Sequence, residues 1–502
     1  FALYNSQGSN TTYLIDENQN IAHTWNLSTE CNYTVLLKKN GNLIRGTKYN
    51  GNILNGAASG GRVQEIDPNG NIVWDYIYSD ANVLSHHDLT LIGDNVLLTA
   101  WEVKSVSDLN AAGYSNANSE KWPTHFIELE PDGNGSANIV WEWHIWDHLC
   151  QDVDPNKPNY VSDISDHPEL IDINMISGGG PGGGGPGGGG GDWFHVNGVN
   201  YNEELDQIVF SSRHASEIYI IDHSTTTLEA AGHTGGNSGM GGDILYRWGN
   251  PSNYGMSGQQ VINSAVHDAR WITNDGRPNG GYLQIFNNSG VGSGQSTVDG
   301  IDTPLDPSGY NYLRTPGQAF EPSSYTTRYV CDYSAPGQSA SDRMSNGNIY
   351  VNASGGQGGS GVMYEVDSLG NIVWGPYNSQ SQKGFRYECN YPGIIALESY
   401  MNTNTTSCFS SGTNVAENIL DIDIYPNPVN RFLNINFSKV NSQKVNFICV
   451  DLIGRVVYDV DYFIYPSNEF VKLDFSNLQQ GLYVLQLNFE DGNSLNKKIN
   501  IN

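Results

Sequence analysis

Apolar and polar residues alternate along short stretches of this chain, and turn residues separate the stretches. One unit recurs: an alternating stretch, a turn rich in Asp, Asn and Gly, and a second alternating stretch that ends on Trp. Its clearest copies are residues 64–74 and 364–374, and further copies end at Trp25, Trp141 and Trp248. Period-two alternation around such a turn predicts β-hairpins, and their recurrence predicts a β repeat protein.

The repeats predict a six-bladed β-propeller over residues 1–410. Propellers repeat a four-stranded sheet around a central channel, and each hairpin supplies two strands of one blade. The interval between Trp248 and Trp374 is wide enough for two blades, so the sixth blade is inferred, and five or seven blades are the alternatives. The 58 Gly and 29 Tyr residues also favour strands and turns over helices, which predicts an all-β fold.

After residue 410 the pattern changes. Residues 411–417 are predicted to be a linker, and residues 418–502 a small immunoglobulin-like β-sandwich, because about seven short alternating strands follow. Four motifs occur there in order: Tyr425-Pro-Asn-Pro, Asp451-Leu-Ile-Gly-Arg455, Gly481-Leu-Tyr and Lys497-Lys-Ile-Asn-Ile. This order resembles the C-terminal sorting domain of type IX secretion cargo in Bacteroidetes-type bacteria. The resemblance implies that the type IX secretion machinery is a partner, and that the protein is secreted or held on the outer-membrane surface.

Charge and hydropathy exclude several function classes. The chain has 24 Lys and Arg against 53 Asp and Glu, a net charge of -29, which repels nucleic acid and anionic membrane surfaces. No run of 18 apolar residues occurs, so no membrane span is predicted. The chain starts at Phe1 without a charged and apolar leader, as expected of an exported product whose signal peptide has been removed.

The six cysteines do not include a Cys-x-x-Cys pair, which disfavours a structural zinc site and leaves disulfide pairing open. Cys449 lies in an apolar run and is expected to be a buried free thiol.

Three histidines begin predicted inner strands in similar contexts. The runs are His86-His87-Asp88, Asp192-Trp-Phe-His195-Val-Asn197 and His267-Asp268. Equivalent positions of propeller blades converge on the central channel, so residues far apart in sequence can meet in one pocket. Arg213 lies one strand after His195 and is expected to point to the same place. The sequence therefore predicts one site formed by His87, His195, Arg213 and His267, with His86 as the alternative to His87.

The segment from about residue 80 to 290 resembles the bacterial arylsulfate sulfotransferase family. The resemblance rests on these runs: Glu142-Trp-His-Ile-Trp-Asp-His148, Asp192-Trp-Phe-His195, Ser211-Ser-Arg213, Ala231-Gly-His-Thr-Gly-Gly236, Leu245-Tyr-Arg-Trp-Gly-Asn-Pro251 and His267-Asp-Ala. The resemblance implies that His267 is transiently sulfated. It also implies that Arg213, His195 and His87 hold the sulfuryl oxygens and the ester oxygen.

Elementary chemistry agrees with this reading. A transferring sulfuryl group spreads negative charge over its oxygens, so positioning and cationic stabilisation are what a catalyst must supply, and an imidazole is a workable nucleophile near neutral pH. The glycine tract 178–191 lacks the Lys and Ser/Thr of a phosphate-binding loop, so no nucleotide cofactor is expected. No metal is expected either: His144 and His148, four residues apart, are interpreted as packing residues.

The expected function is that of a secreted, nucleotide-independent sulfotransferase that moves a sulfuryl group from a phenolic sulfate ester to a phenolic acceptor. A single His beside Asp or Asn at a strand start is more often a turn residue, and it is the recurrence of the context that favours catalysis. The alternative is a non-catalytic surface propeller that acts as an adhesin or glycan-binding module. Hydrolysis of sulfate esters shares the first half-reaction and differs only in its acceptor.

Overall fold

The computed structural model describes residues 1–6, 8–115, 117–176, 191–258, 260, 265–292, 294–356, 359–402, 423–425, 428–437, 443–451, 455–464, 470–489 and 494–501. The chain divides into two compact units, Phe1–Phe409 and Ser410–Asn502. Strands predominate in both units and the helices are short, so the predicted all-β class is confirmed. The predicted linker 411–417 and residues 178–190 of the glycine tract lie outside the described residues.

Six four-stranded antiparallel sheets contain nearly all the strands formed by the described residues of the first unit, and these strands follow here in spatial order. Sheet 1 contains Gly384–Arg386, Ala2–Asn5, Thr11–Ile15 and Ile21–Asn26. Sheet 2 contains Cys31–Leu37, Leu43–Lys48, Gly61–Ile66 and Ile72–Ile77. Sheet 3 contains Val83–Ile92, Asn95–Glu102, Thr124–Pro131 and Ala137–His144.

The other three sheets repeat this order. Sheet 4 contains Val196–Asn202, Gln207–Ser212, Glu217–Asp222 and Ile244–Trp248. Sheet 5 contains Val266–Trp271, Leu283–Val291, Gln295–Ile301 and Thr327–Val330. Sheet 6 contains Ala340–Arg343, Ile349–Ala353, Gly361–Val366 and Ile372–Ser379. A two-stranded parallel pair, Leu149–Cys150 with Ile171–Asp172, lies between sheets 3 and 4 in the chain.

The six sheets contact one another in cyclic order. The first strand of each of sheets 2 to 5 touches the sheet before it and the sheet after it, and sheet 6 touches the strand Gly384–Arg386 of sheet 1. That strand pairs with the beginning of the chain, with Ala2 opposite Arg386 and Tyr4 opposite Gly384. Sheet 1 is therefore built from both ends of the unit.

The recurring turn of the sequence has a specific hydrogen-bond pattern. Asp67 Oδ1 accepts the backbone N–H groups of Asn69 and Asn71 at 2.9 and 2.8 Å, and Gly70 has a φ of 87°. Asp367 makes the same pair of contacts in sheet 6, with Leu369 and Asn371 at 2.9 Å. In both turns the Asp side chain accepts hydrogen bonds from the backbone two and four residues later, so the hairpin is closed by local contacts. This is why the repeat can be recognised in the sequence.

Apolar side chains fill the space between neighbouring sheets. Between sheets 4 and 5, for example, Val209 and Ile220 pack in one cluster with Leu283 and Ile285, all fully buried. Burial of this kind stabilises a fold by about 25 cal/mol per Å² of apolar surface. The helices are peripheral: Val106–Ala112, Thr227–Ala230 and Pro392–Leu397, with 3₁₀ turns at Ile145–Asp147, Ile164–Asp166, Pro251–Tyr254 and Glu398–Tyr400.

The second unit has two sheets. One contains Asp423–Tyr425, Phe432–Asn436 and Phe470–Asp474, and the other contains Val456–Ile464, Gln443–Val450, Gly481–Phe489 and Ser494–Ile501 in spatial order. Leu433 and Leu473 of the first sheet share a buried cluster with Phe447 and Leu485 of the second. Cys449 is also in this cluster and is free, as predicted.

Among the other described cysteines, three are free and buried (Cys31, Cys150 and Cys331), while Cys389 is disulfide-bonded. None of the helices formed by the described residues is long and apolar enough to cross a membrane.

Candidate functional site

Three neighbouring sheets interrupt their first strand with a bulge at the same place. The ladder register shifts between Ser85 and Leu89, between Val196 and Gly198, and between His267 and Arg270. At these bulges His87, His195 and Asp268 have positive φ values of 50°, 52° and 54°. A bulge redirects side chains out of the regular alternation of a strand. His87 thus lies within the register shift of its sheet, His195 directly before the shift of its sheet, and His267 at the start of its own.

His87 and His195 are in direct contact across sheets 3 and 4. Their ring centroids lie 4.6 Å apart, and the ring of His214 lies 4.8 Å from that of His195. His86, the alternative to His87, lies behind it: the Nδ1 atoms of the two rings are 2.7 Å apart, and His86 stacks on Trp101. Burial lowers the pKa of His86 to about 3 and that of His87 well below its ordinary value, so both rings are neutral at neutral pH.

Asp192 orients His195. Its Oδ2 accepts a hydrogen bond from His195 Nδ1 at 2.6 Å, and its Oδ1 accepts from the His195 backbone N–H and from Trp101 Nε1, both at 3.1 Å. Burial raises the pKa of Asp192. The charge and the hydrogen bond of His195 have a larger effect in the opposite direction, so the pKa falls to about 2. The ionised carboxylate holds Nδ1–H, which directs Nε2 away from Asp192, as in the Asp-His pairs of catalytic triads.

His267 has a defined tautomer. Asn288 Nδ2 donates to the carbonyls of Ala335 and Gln338 at 3.0 and 3.3 Å, so Asn288 Oδ1 faces His267 Nδ1, 2.7 Å away. An amide oxygen only accepts, so Nδ1 carries the ring proton and Nε2 carries the lone pair. The backbone N–H of Gln338 donates to that Nε2 at 3.0 Å.

Arg213 meets the same loop. Its Nη1 donates to the carbonyl of Pro336 at 3.4 Å, two residues before the amide that reaches His267. Gly337 lies between these contacts, and a Cβ there would come within 2.8 Å of Arg213 Nη1. The loop therefore contacts both the guanidinium and the lone-pair nitrogen of His267.

The electrostatic environment favours a neutral His267. Burial lowers its pKa well below the ordinary value, and the positive charge of Arg213 lowers it further. Burial also lowers the pKa of Arg213, which stays cationic because guanidinium pKa values start from about 12.5 or higher. A neutral imidazole beside a fixed cation is suited to attack an anionic ester whose negative charge the cation stabilises.

A buried lysine joins the strands around this site. Lys383 Nζ lies 2.8 Å from Asp88 Oδ2 and 3.4 Å from Asp268 Oδ1, and all three side chains are almost completely buried. Asp88 and Asp268 are the residues that follow His87 and His267 in the chain. The lysine thus shares its positive charge between two buried carboxylates, and Asp268 also pairs with Arg270 at 2.9 Å.

Sequence reasoning named the four residues but missed Asp192, Asn288, Gln338 and Lys383 as their partners. Only Asp192 carried a usable local signal, an Asp three residues before a His. Asn288 and Lys383 reach the site from other strands and have no distinctive sequence context. His267 and Arg213 meet through a loop more than 65 residues away from either, so no local pattern shows the contact.

Comparisons with known proteins add three findings. The arylsulfotransferase (ASST) family model matches residues 1–303, and the model of a secretion system C-terminal sorting domain matches residues 423–502. No curated protein matches the chain.

Solved structures resemble it only distantly. A Lactobacillus plantarum protein has 9% identity and a TM-score of 0.38, covering 94% of this chain and 98% of its own. A periplasmic gluconolactonase of Pseudomonas aeruginosa has 11% identity and a TM-score of 0.34, with the same coverages, 94% and 98%.

The two family models settle the classification. The sorting domain is that of type IX secretion cargo, which supports secretion or a cell-surface location in a Bacteroidetes-type bacterium. The other match spans more than half of the 502 residues and includes all four predicted site residues. This chain belongs to the arylsulfotransferase family.

Proposed function

We propose that the protein transfers a sulfuryl group from a phenolic sulfate ester to a phenolic acceptor without a nucleotide cofactor, through a sulfohistidine at His267. One observation carries the proposal: the lone pair of His267 is fixed on Nε2, and the loop that contacts this buried atom also contacts the guanidinium of Arg213. His87 and His195 complete the group of donors proposed to bind the sulfuryl and ester oxygens.

In the first half-reaction the lone pair of His267 Nε2 forms an N–S bond while the S–O bond to the phenolic oxygen breaks. The electron pair of that bond leaves with the phenolate oxygen, which takes a proton from His195. Arg213 stabilises the negative charge on the sulfuryl oxygens. The Gln338 N–H that holds Nε2 must release it, and is then free to donate to a sulfuryl oxygen.

In the second half-reaction the acceptor's phenolic oxygen forms an S–O bond as the N–S bond breaks. The electron pair returns to Nε2, and the phenolic proton passes to His195, which Asp192 stabilises as the imidazolium. Each half-reaction thus leaves His267 and His195 in the sulfation and protonation states that the other half-reaction requires. This alternation predicts ping-pong kinetics.

We further interpret the six cyclically arranged sheets as the blades of a closed six-bladed propeller spanning residues 1–410. The second unit, residues 418–502, we interpret as an immunoglobulin-like sorting domain that follows a linker at 411–417. The cyclic contacts of the sheets and the shared core of the two C-terminal sheets support these interpretations.

The first test uses 4-nitrophenyl sulfate as donor. We expect release of 4-nitrophenol to accelerate when phenol is added, and a short pulse of donor alone to add one sulfuryl group to the protein, which mass spectrometry locates on His267. His267→Ala should lose both the adduct and turnover, because no other residue replaces the nucleophile. His195→Ala should retain measurable adduct formation, since loss of one stabilising donor costs about 10²–10³ in rate.

An adduct on another residue, or full activity of His267→Ala, would contradict the assignment. Donor cleavage that phenol does not accelerate would instead indicate a sulfatase. No cleavage of any aryl sulfate by the wild-type protein would leave the non-catalytic surface propeller as the better description.

A further inference from the structure

Outside the sulfuryl-transfer site, three ligand-type side chains converge at the outer edge of sheets 3 and 4. One ligand atom from each of His148, His233 and Asp243 lies within 4.8 Å of the other two. His148 follows the outermost strand of sheet 3, Ala137–His144, and Asp243 immediately precedes the outermost strand of sheet 4, Ile244–Trp248. The sequence paired His148 with His144, but the structure places it with residues about 85 and 95 positions away.

The ring of His148 directs its Nδ1 atom toward the cluster. Its Nε2 lies 2.8 Å from the carbonyl of Ala230, and because a carbonyl only accepts, Nε2 carries a proton. Its Nδ1 lies 2.8 Å from Asp243 Oδ1, and the ring is fully buried and stacked on Trp143. Metal-binding histidines usually donate their other ring N–H to a carbonyl or carboxylate in this way.

Asp243 is the centre of the cluster. Its Oδ1 contacts Nδ1 of both His148 and His233, at 2.8 and 2.7 Å, although the residue is only 5% exposed. Its Oδ2 has no hydrogen-bond partner within the part of the chain that the structure describes. One buried carboxylate oxygen therefore faces two imidazole nitrogens, and the other is available as a ligand.

His233 closes the cluster from the solvent side. Its side chain is 60% exposed, and it lies on a glycine-rich loop, residues 231–242. Gly242 at the end of this loop packs so tightly against His148 that a Cβ would lie 2.6 Å from its Nε2. Two ligands are thus buried, and the third is exposed to solvent.

We propose that His148, His233 and Asp243 bind one zinc-class divalent ion, with water as the fourth ligand. Two imidazoles and one carboxylate suit Zn²⁺, and oxygen-seeking ions such as Ca²⁺ and Mg²⁺ are disfavoured. Metal–ligand bonds of about 2.0–2.2 Å in a tetrahedron place ligand atoms roughly 3.3 Å apart. The present contacts of 2.8 and 2.7 Å open to that separation by small movements of the Asp243 carboxylate and of the exposed His233 ring.

The ion acts as a clamp and takes no part in sulfuryl transfer. It ties the glycine-rich loop to the segment that leaves sheet 3, in addition to the hydrogen bonds and the apolar packing that already join them. Binding energy of this kind adds directly to the stability of the fold that presents the ligands.

The test is titration of the chelator-treated full-length protein with Zn²⁺ and with Co²⁺. We expect one ion per chain, a Co²⁺ complex with visible d–d absorption that Zn²⁺ displaces, and a Tm increase of roughly a few degrees at saturating Zn²⁺. Mg²⁺ at the same concentration should give neither. His233→Ala and Asp243→Asn should weaken binding by more than the roughly 10–100-fold typical of losing an outer-shell partner.

His167→Ala is the matched control, since His167 is also half-exposed and bonds a carboxylate, Glu169 Oε1 at 2.9 Å, but has no second histidine beside it. It should bind the ion like the wild type. Because His233 is exposed, His233→Ala is expected to fold. Its result is therefore informative even if Asp243→Asn fails to fold. Absence of stoichiometric binding, or equal binding by His233→Ala, would show that the cluster is only a hydrogen-bonded His-Asp-His group.

Discussion

At the scale of single residues, the proposed chemistry depends on which nitrogen of His267 holds the lone pair. Asn288 decides this, because its amide group is itself held by two carbonyls of the loop at residues 335–338. A free imidazole would distribute its proton between both nitrogens. The structure instead commits Nδ1 to Asn288 and presents Nε2 toward the loop and Arg213.

Replacing Asn288 therefore tests the role of the tautomer. Asn288→Ala should slow donor cleavage by about 10–100-fold, the range typical of losing a residue that orients a functional histidine. Asn288→Asp should keep Nδ1–H but place a negative charge beside the ring. That charge raises the pKa of His267, so the acid limb of the pH–rate profile should move to higher pH.

Asn200→Ala is the matched control, because the Asn200 side chain also bonds the backbone of a neighbouring sheet, Trp271 N–H at 3.1 Å, without touching His267. It should leave the pH profile in place. An unchanged profile in Asn288→Asp would mean that Asn288 serves only to hold the loop.

At the scale of strands and turns, what the sequence could predict was local. The hairpins were readable because Asp67 and Asp367 close their turns within four residues. Sheet 1 was not readable as a whole, because the strand that completes it comes from the other end of the unit. The histidine contexts were visible as motifs, whereas the bulges in or beside them appear only in the backbone.

Lys383 offers a test of how the central strands are held. Removal of its ammonium in Lys383→Met leaves Asp88 and Asp268 buried without their shared cation, which typically costs about 3–5 kcal/mol. Urea unfolding should show this loss as a lower midpoint. The matched change Lys48→Met affects a half-exposed pair with Glu30 at 3.6 Å and should alter the free energy of unfolding by less than about 1 kcal/mol.

Equal small losses in both variants would contradict this account of Lys383. They would show that Asp88 and Asp268 are satisfied by their other contacts, such as the Val199 N–H on Asp88 and Arg270 on Asp268.

At the scale of the whole molecule, buried histidines make stability depend on pH. Burial lowers the pKa of His86 and of His125 from 6.5 to about 3, so each remains neutral in the folded state while the unfolded chain takes up a proton below pH 6.5. Their stabilisation is therefore complete above pH 6.5 and is lost as pH falls from 6.5 toward 3.

His223 acts in the opposite direction. Burial lowers its pKa, but hydrogen bonds to Asp206 at 2.6 Å and Glu128 at 3.0 Å raise it to about 9. The stability it contributes is present below pH 6.5 and is lost as pH rises from 6.5 through 9. We expect the free energy of unfolding to peak near pH 6.5, and His223→Gln to flatten the decline on the alkaline side. An alkaline decline that persists in His223→Gln would locate its cause elsewhere.

The two units should also be separable. A chain that ends at residue 412 keeps all four site residues and all six sheets of the first unit, so it should fold and retain the kcat of the full-length protein. Circular dichroism and 4-nitrophenol release would measure this. Folding without turnover would mean that the C-terminal unit contributes to the reaction.

The pairing of Ala2–Asn5 with Gly384–Arg386 also sets an order of events in time. During synthesis and export, one edge of the strand Ala2–Asn5 stays unpaired until almost four hundred further residues have followed it. Lys383, directly before the strand Gly384–Arg386, is synthesised equally late, whereas its partners Asp88 and Asp268 are synthesised long before it. The proposed site is therefore complete only after the strand Gly384–Arg386 has paired, and an unfinished chain carries His267 without the buried lysine that joins the strands around it.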